Sequence, residues 1–248
     1  TSFLKNMVTY LEPTVGRLTG RTVQGTFLTS VCEEGYPIWY MLGYKATRID
    51  EEGYAWFAKY DADGNQIGET KTPDQATDRV MIGKGIPDMT YGITINMAWK
   101  NFDFSVFGTG VAGVDIYPTA FRVDRPSCNT YSYYWENSWK KAGDEATAKF
   151  PAANHWNSES FSSTLSVFDG SYFKIKQIQL GYTIPKSITK KFAVSNLRAY
   201  GMLDNFITFS KYIGLDPETA GGGTNALGFD MGNYPTSKSI IFGLNLEF

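Results

Sequence analysis

The chain has 248 residues, 42% hydrophobic and 16% aromatic, with 25 glycines and a formal net charge of −2. That length suits one large domain or two small ones, and the near-neutral balance leaves no basic stripe for nucleic acid. No run approaches the roughly 20 continuous apolar residues of a membrane helix, which excludes a helical membrane protein but not a barrel. The chain opens on Thr1 without a charged, apolar leader, as expected of a processed, truncated or partial polypeptide.

In chain order, Leu4–Tyr10 reads as a frayed first strand, and Trp39–Lys59 as a region able to supply further strands. Asp61-Ala-Asp-Gly-Asn65 alternates oxygen side chains in the manner of a calcium loop. Its Gly64 stands fourth, however, where an EF-hand needs glycine sixth, and Thr72 takes the place of the bidentate Glu. Asp-Gly and Gly-Asn are instead ordinary hairpin-turn dipeptides, so this segment is expected to be a turn and no metal site is assigned.

The clearest hairpin follows. Met89, Tyr91, Ile93, Ile95, Met97 and Trp99 alternate with Thr90, Gly92, Thr94, Asn96 and Ala98. The chain turns at Lys100-Asn101 and returns with Phe102, Phe104 and Val106 opposed to Asp103, Ser105 and Thr109. Alternation sends successive side chains to opposite faces, and a two-residue connection marks a tight antiparallel hairpin. Further on, Ile178, Leu180, Tyr182 and Ile184 oppose Gln177, Gln179, Gly181 and Thr183. Phe173 and Ile175 are out of phase with that set, which a bulge, or a strand that has already left the membrane, would explain. Leu197, Ala199, Gly201 and Leu203 oppose Arg198, Tyr200, Met202 and Asp204. In the last segment, Ile240, Phe242, Leu244, Leu246 and Phe248 share a face against Ser239, Gly243, Asn245 and Glu247, with Ile241 the exception.

Short connections alternate with long ones at about 11–88, 113–169 and 209–237, so the long loops emerge on one side. Short turns on one side and long loops on the other is the pattern of a transmembrane β-barrel. The expected fold class is therefore all-β, an antiparallel transmembrane β-barrel. Its lipid-facing candidates are Ile93, Ile95, Met97, Phe102, Phe104, Leu180, Tyr182, Leu244 and Leu246. Trp99, Phe102, Tyr182 and Phe248 are placed to form an aromatic girdle at the short-turn end. Asn96, Asp103, Gln177, Gln179, Arg198, Asp204 and Glu247 face inward, to hydrate a lumen or to bond a plug. Five or six strands cannot close a barrel, and an open edge is untenable in lipid, so these read as the final strands of a larger one.

Cys32 and Cys128 are too few for a disulfide scaffold; a bridge between them and two separate thiols both remain open. His155, the single histidine, has no partner at a spacing that makes a nucleophile–base pair or a zinc site. It reads as a loop residue, and catalysis and cofactors are not expected. Tyr133, Tyr134, Trp135, Trp139 and Trp156 crowd one polar loop. Such rings stack on sugars or anchor proteins, and they equally pack a loop's own small core.

Several segments resemble the C-terminal part of the SusC/RagA family of TonB-linked outer-membrane transporters. They are Glu34-Gly-Tyr-Pro37 with Gly43-Tyr44, Gly83-Lys-Gly-Ile-Pro-Asp88 with Thr90-Tyr-Gly92, and Trp99-Lys-Asn-Phe-Asp-Phe-Ser-Val-Phe107. Asp169-Gly-Ser-Tyr-Phe-Lys-Ile-Lys176 with Leu180-Gly-Tyr-Thr-Ile-Pro185, Asp204-Asn205, Gly214-Leu-Asp-Pro-Glu218 and Asn233-Tyr-Pro235 continue the series. Phe248 resembles the closing assembly signal of an outer-membrane barrel. The resemblance implies the C-terminal strands of a barrel of about 22 strands with a lumenal plug. It also implies a SusD-like lipoprotein lid, energy through TonB, contact with lipid and lipopolysaccharide in a Gram-negative outer membrane, and import of oligosaccharides or peptides. The five loop aromatics then become candidates for contact with substrate or lid. Plug, TonB box and N-terminal strands are not in this sequence and are expected on the remainder of the barrel. The rival readings are a passive channel built on a small complete barrel, and a soluble all-β ligand-binding module.

Overall fold

The computed structural model describes residues 1–23, 26–119 and 131–248. A six-stranded antiparallel sheet forms the wall, in the order β1 (Ser2–Phe3), β9 (Met89–Trp99), β10 (Phe102–Ala112), β13 (Tyr172–Thr183), β14 (Asn196–Ser210), β16 (Ser239–Glu247). The strands between them in sequence are β2 (Arg17–Thr22), β3 (Thr29–Glu33), β4 (Tyr40–Tyr44), β5 (Ala46–Ile49), β6 (Ala55–Tyr60), β7 (Gln66–Thr70) and β8 (Arg79–Gly83). Later come β11 (Asp115–Pro118), β12 (Phe168–Asp169) and β15 (Phe229–Asp230). The described residues also hold three short α-helices, α1 (Ser132–Asn137), α2 (Ser158–Phe161) and α3 (Lys186–Thr189).

Register lines the wall up in rows. Trp99, Phe102, Tyr182, Ala199 and Leu244 are successive cross-strand neighbours. The next row is Met97, Phe104, Leu180, Gly201 and Phe242, and the one above it Ile95, Val106, Ile178, Leu203 and Ile240. Then come Ile93, Gly108, Ile175 and Ile207, and finally Tyr91, Gly110, Phe173 and Phe209. Every one of these rows is apolar, and all lie on one face. The predicted break in phase on β13 is real: the ladder shifts between Ile175 and Gln177, and Lys176 is the extra residue against β10. The bulge flips the parity of β13, so Ile175 and Phe173 rejoin the face of Ile178. Asn205 lies opposite it at φ 58°, a left-handed conformation that Asn tolerates better than most residues.

The first strand differs from expectation. Only Ser2 and Phe3 pair with the wall, at Thr90 and Met89, and Leu4–Tyr10 is not a strand. Its backbone is taken elsewhere: Val8 exchanges hydrogen bonds with Gly35 and Tyr36, and the Asn6 side chain accepts from Ile38 N–H. The strands that Trp39–Lys59 supplies also stay out of the wall. β4 joins β2, β3 and β8 in a four-stranded sheet, while β5, β6 and β7 form a three-stranded one. Their side chains are too deeply buried for a wall that presents a face outward: all of β4 is buried, and Phe57 on β6 fully so.

The three long connections therefore fold into one lobe with its own core. Val23, Leu28, Met41, Tyr117, Ala226 and Phe229 form one cluster, drawn from all three connections. Tyr44, Ile49, Ala55 and Phe57 form a second, against which Trp139 and Leu165 pack. Backbone bonds stitch the segments together, from Tyr44 N–H to the Ser162 carbonyl at 2.8 Å and from Tyr117 N–H to the Gly228 carbonyl at 2.8 Å. Asp61–Asn65 is the β6–β7 hairpin turn: the Asp61 carboxylate accepts from the Asp63 and Asn65 amides, and Gly64 takes φ 80°.

Candidate transport wall and the latch to its lobe

The two faces of the wall differ as the alternation demands. On the apolar face, Ile93, Ile95, Met97, Phe102, Leu180, Tyr182, Leu244 and Leu246 are exposed, and Phe104 is half-buried among its cross-strand neighbours. Aromatic rings gather at both ends of that face. Trp99, Phe102 and Tyr182 stand at the short-turn end, where the Phe102 and Tyr182 centroids are 4.6 Å apart. Tyr91, Phe173 and Phe209 stand at the lobe end, a second band that sequence reading did not single out as a girdle. Tyr91 and Phe173 stack with centroids 5.8 Å apart, lying across β10 over Gly108 and Gly110. A Cβ at Gly110 would lie 2.5 Å from the Tyr91 ring, so both residues must be glycine for the rings to lie flat. From Tyr91 to Trp99 the strand runs roughly 26 Å at about 3.3 Å per residue. Tilted by about 40°, it spans a height of roughly 20 Å, close to the apolar band of about 25 Å in outer-membrane barrels.

The opposite face is polar and internally bonded. Arg198 on β14 donates through Nε to Asp103 Oδ1 at 2.9 Å, reaching across β13 to β10, and a second contact runs from Nη2 to Oδ2. Gly181 on the intervening strand makes this possible, since a Cβ there would collide with both the guanidinium and the carboxylate. The Arg198 guanidinium also lies 5.1 Å from the centre of the Tyr200 ring, which covers Gly243. Ser105 donates to Asn96 at 2.8 Å. Asp103, Arg198 and Asn96 thus have partners within the wall itself. Gln177 and Gln179 meet each other at 3.3 Å, Asp204 lies half-buried in the row of Gln177, and Glu247 is exposed.

Where wall meets lobe, a buried charge cluster does the joining. Lys174 of β13 is only 1% exposed, and its ammonium contacts Asp216 at 2.8 and 2.9 Å, Glu218 at 2.7 Å and Thr236 Oγ1 at 2.7 Å. Lys176, the bulge residue, adds a contact to the other oxygen of Glu218. The Asp216 carboxylate further accepts from the Thr236 amide at 3.0 Å, the Thr236 hydroxyl at 2.7 Å and the Glu218 amide at 3.1 Å. Two cations meet two anions with most of their hydrogen-bonding capacity used, which is the condition for a buried pair to survive its desolvation. Burial pushes the Asp216 carboxyl up, but Lys174 and the Thr236 bonds outweigh it and hold it at about 2. Glu218 is likewise lowered: burial opposes, and Lys174 and Lys176 prevail. Sequence reading missed this latch. Its signal was two lysines and two acids, each pair spaced by two residues, in segments singled out only as motifs.

Of the five loop aromatics, Tyr134 is buried among Tyr133, Phe150, Trp156 and Phe168, and Trp139 packs on the Tyr44–Phe57 cluster. Trp135 alone of the five is open to solvent, 60% exposed, with Lys140 5.4 Å from its ring centre. His155 stacks on Tyr54 at 3.7 Å. Cys32 is buried in β3, and its pairing with Cys128 lies outside the described residues. Among the described residues no cluster of His, Cys, Asp and Glu could hold a metal, and no helix is long and apolar enough to cross a membrane.

No family model matches the chain. TonB-dependent receptor P3 of Formosa agariphila is 31% identical over 195 residues, covering 76% of this chain and 18% of that protein. TonB-dependent receptor SusC of Bacteroides thetaiotaomicron is 26% identical over 215 residues, 84% of this chain and 20% of SusC. The structure of the RagAB peptide transporter superposes with a TM-score of 0.71 at 22% identity, covering 98% of this chain and 26% of that one. The chain belongs with the SusC/RagA-type TonB-dependent receptors. The SusC-like segment thus spans about a fifth of the curated relatives it matches. Its six-stranded sheet is antiparallel barrel wall of the outer-membrane kind.

Proposed function

We propose that this segment supplies wall, extracellular loops and closing strand to a TonB-dependent outer-membrane importer of oligosaccharides or peptides that works with a SusD-like lipoprotein. The observation that carries the reading is the wall itself. Five cross-strand rows are wholly apolar and bounded by aromatics on one face, and the facing rows carry Asp103, Arg198, Gln177 and Gln179. Hydrocarbon on one flank and an aqueous lumen on the other is the environment that favours such a division. In this reading Ile93, Ile95, Met97, Phe102, Phe104, Leu180, Tyr182, Leu244 and Leu246 face lipid, and the lobe stands on the extracellular side. The chain performs no catalytic step; it shapes a cavity that a lid closes and a plug, carried on the rest of the barrel, opens. Kinship with SusC and likeness in fold to RagAB support both substrate classes and favour neither.

Purification discriminates the reading from its rivals. Extraction that requires detergent, together with a larger part of the same receptor and uptake abolished without TonB, is expected. A detergent-dependent closed barrel of this chain alone would instead indicate a passive channel. Stable solubility without detergent would indicate a soluble binding module.

A further inference from the structure

We propose that the turn joining β13 to β14 is a docking site for acidic phospholipid headgroups at the periplasmic surface of the membrane. The inference rests on the bilayer reading of the wall. Pro185–Ser195 carries Lys186, Lys190 and Lys191 and no acidic residue. All three lysines are exposed. Among them Ile188 is 50% exposed and Phe192 72% exposed, unusual for large apolar side chains in a turn of α3 and the 3-10 segment Lys190–Phe192. Spaced by four, Ile188 and Phe192 fall on one side of a helical turn.

The position of the turn argues for lipid as the occupant. Thr183 N–H donates to the Asn101 carbonyl at 2.8 Å, which sets this turn beside the β9–β10 turn at the same end of the wall. That neighbour contributes Lys100, whose ammonium lies 4.6 Å from the centre of the Trp99 ring. The rim therefore presents four lysines above the row of Trp99, Phe102 and Tyr182. Two acidic side chains lie on the strands at this end: Asp103, which is held by Arg198, and Glu247, which is exposed on β16, so the four lysines outnumber them. Apolar side chains at the level of the aromatic girdle with ammonium groups around them suit an acyl boundary below an anionic headgroup layer.

The test uses the full-length receptor carrying this segment, reconstituted in bilayers of phosphatidylethanolamine and phosphatidylglycerol. A spin label is placed at Phe192→Cys, with Ile95→Cys as reference, in a Cys128→Ser background; Cys32 is buried. Collision with oxygen is compared with collision with a water-soluble nickel chelate. Both labels are expected to prefer oxygen, Ile95 the more strongly. A nickel-accessible label at 192 beside an oxygen-accessible one at 95 overturns the docking site and spares the wall. A label at 192 shielded from both probes means protein covers the turn, and it also overturns the site. A nickel-accessible label at 95 removes the bilayer reading and the site with it. Separately, Lys186→Gln, Lys190→Gln and Lys191→Gln are combined, and phosphatidylglycerol retained by the receptor is measured by native mass spectrometry. Affinity is expected to fall by roughly fivefold per lysine. The pair Lys140→Gln and Lys141→Gln on the lobe should leave retention unchanged. Equal retention in the triple variant and the wild type overturns the headgroup contact.

Discussion

Replacing Lys174 by Met keeps the length of the side chain and removes the charge at the centre of the latch. The ammonium is 1% exposed and Asp216 is 6% exposed, so the carboxylate cannot recover its partner from water without opening the site. Removing one member of a buried pair strands the other, at a cost of about 3–5 kcal/mol. Lys176 still reaches Glu218, and Thr236 still donates to Asp216, which places the expected loss at the lower end, about 3 kcal/mol. The damage should be local, because the latch joins the segment between β14 and β16 to one wall strand. Hydrogen exchange followed by mass spectrometry on the full receptor reads it directly. Amides of residues 212–236 should exchange on the order of 100-fold faster, while β9 and β10 keep their protection. Lys174→Met combined with Asp216→Leu should recover much of the loss, since no buried charge is then unpaired. Unchanged exchange across 212–236 in the single variant, matching the exposed Lys141→Met control, would refute the latch.

Acid should open the same joint. The Asp216 carboxyl is held at about 2, below its ordinary 3.8, so its contribution is full above about pH 4 and lost as pH falls toward 2. Cleavage of residues 211–237 by an acid-active protease should therefore rise across that window, and a flat profile contradicts the assignment. Gly181→Ala should displace Arg198 from Asp103 and destabilise the wall by about 1–3 kcal/mol, read as a lower unfolding temperature of the receptor. Ile95→Arg should cost about 2–4 kcal/mol when folding is titrated in lipid vesicles, and Asn96→Arg on the other face much less. Equal costs at the two positions would remove hydrocarbon as the cause of the alternation. Trp139→Ala should destabilise the lobe by about 3–5 kcal/mol, because the ring packs on the Tyr44–Phe57 cluster. Trp135→Ala should leave stability nearly unchanged and weaken capture of ligand or lid; unaltered capture excludes the ring from that contact.

The wall was legible in the sequence because its information is local and binary. Met89–Trp99 alternates without error, so strand, turn and face follow from parity alone, and even the bulge at Lys176 declares itself as a change of phase. The lobe was opaque for the opposite reason. Its strands are short, and Thr29–Glu33 and Tyr40–Tyr44 are buried on both sides, where a continuous buried run carries no alternation to read. Their partners also lie far away in sequence: Phe27 N–H bonds Ser162, and Tyr117 meets Phe229. Leu4–Tyr10 misled because its apolar residues suggested a strand, whereas Asn6 and Val8 are spent on the segment between β3 and β4. The aromatic loop lay between these cases. Five clustered rings predict burial or binding equally well, and only the packing separates Trp135 from the rest.

The distribution of charge explains why the lobe needs the latch. Its core is apolar and built from three connections, each of which leaves the wall and returns to it. Apolar packing is non-directional, so such a core holds its own parts together but sets no fixed position relative to the strands below it. A buried lysine with two carboxylates is directional and costly to leave unpaired, and it sits on β13 just above the bulge. The bulge residue Lys176 shares the Glu218 carboxylate, tying the wall's local irregularity to the same joint. In the proposed importer, a lobe that takes part in capture must stay in register with the barrel. Substituting the latch should therefore disturb capture without changing the wall, whereas substituting Asp103, Gly181 or Arg198 should do the reverse.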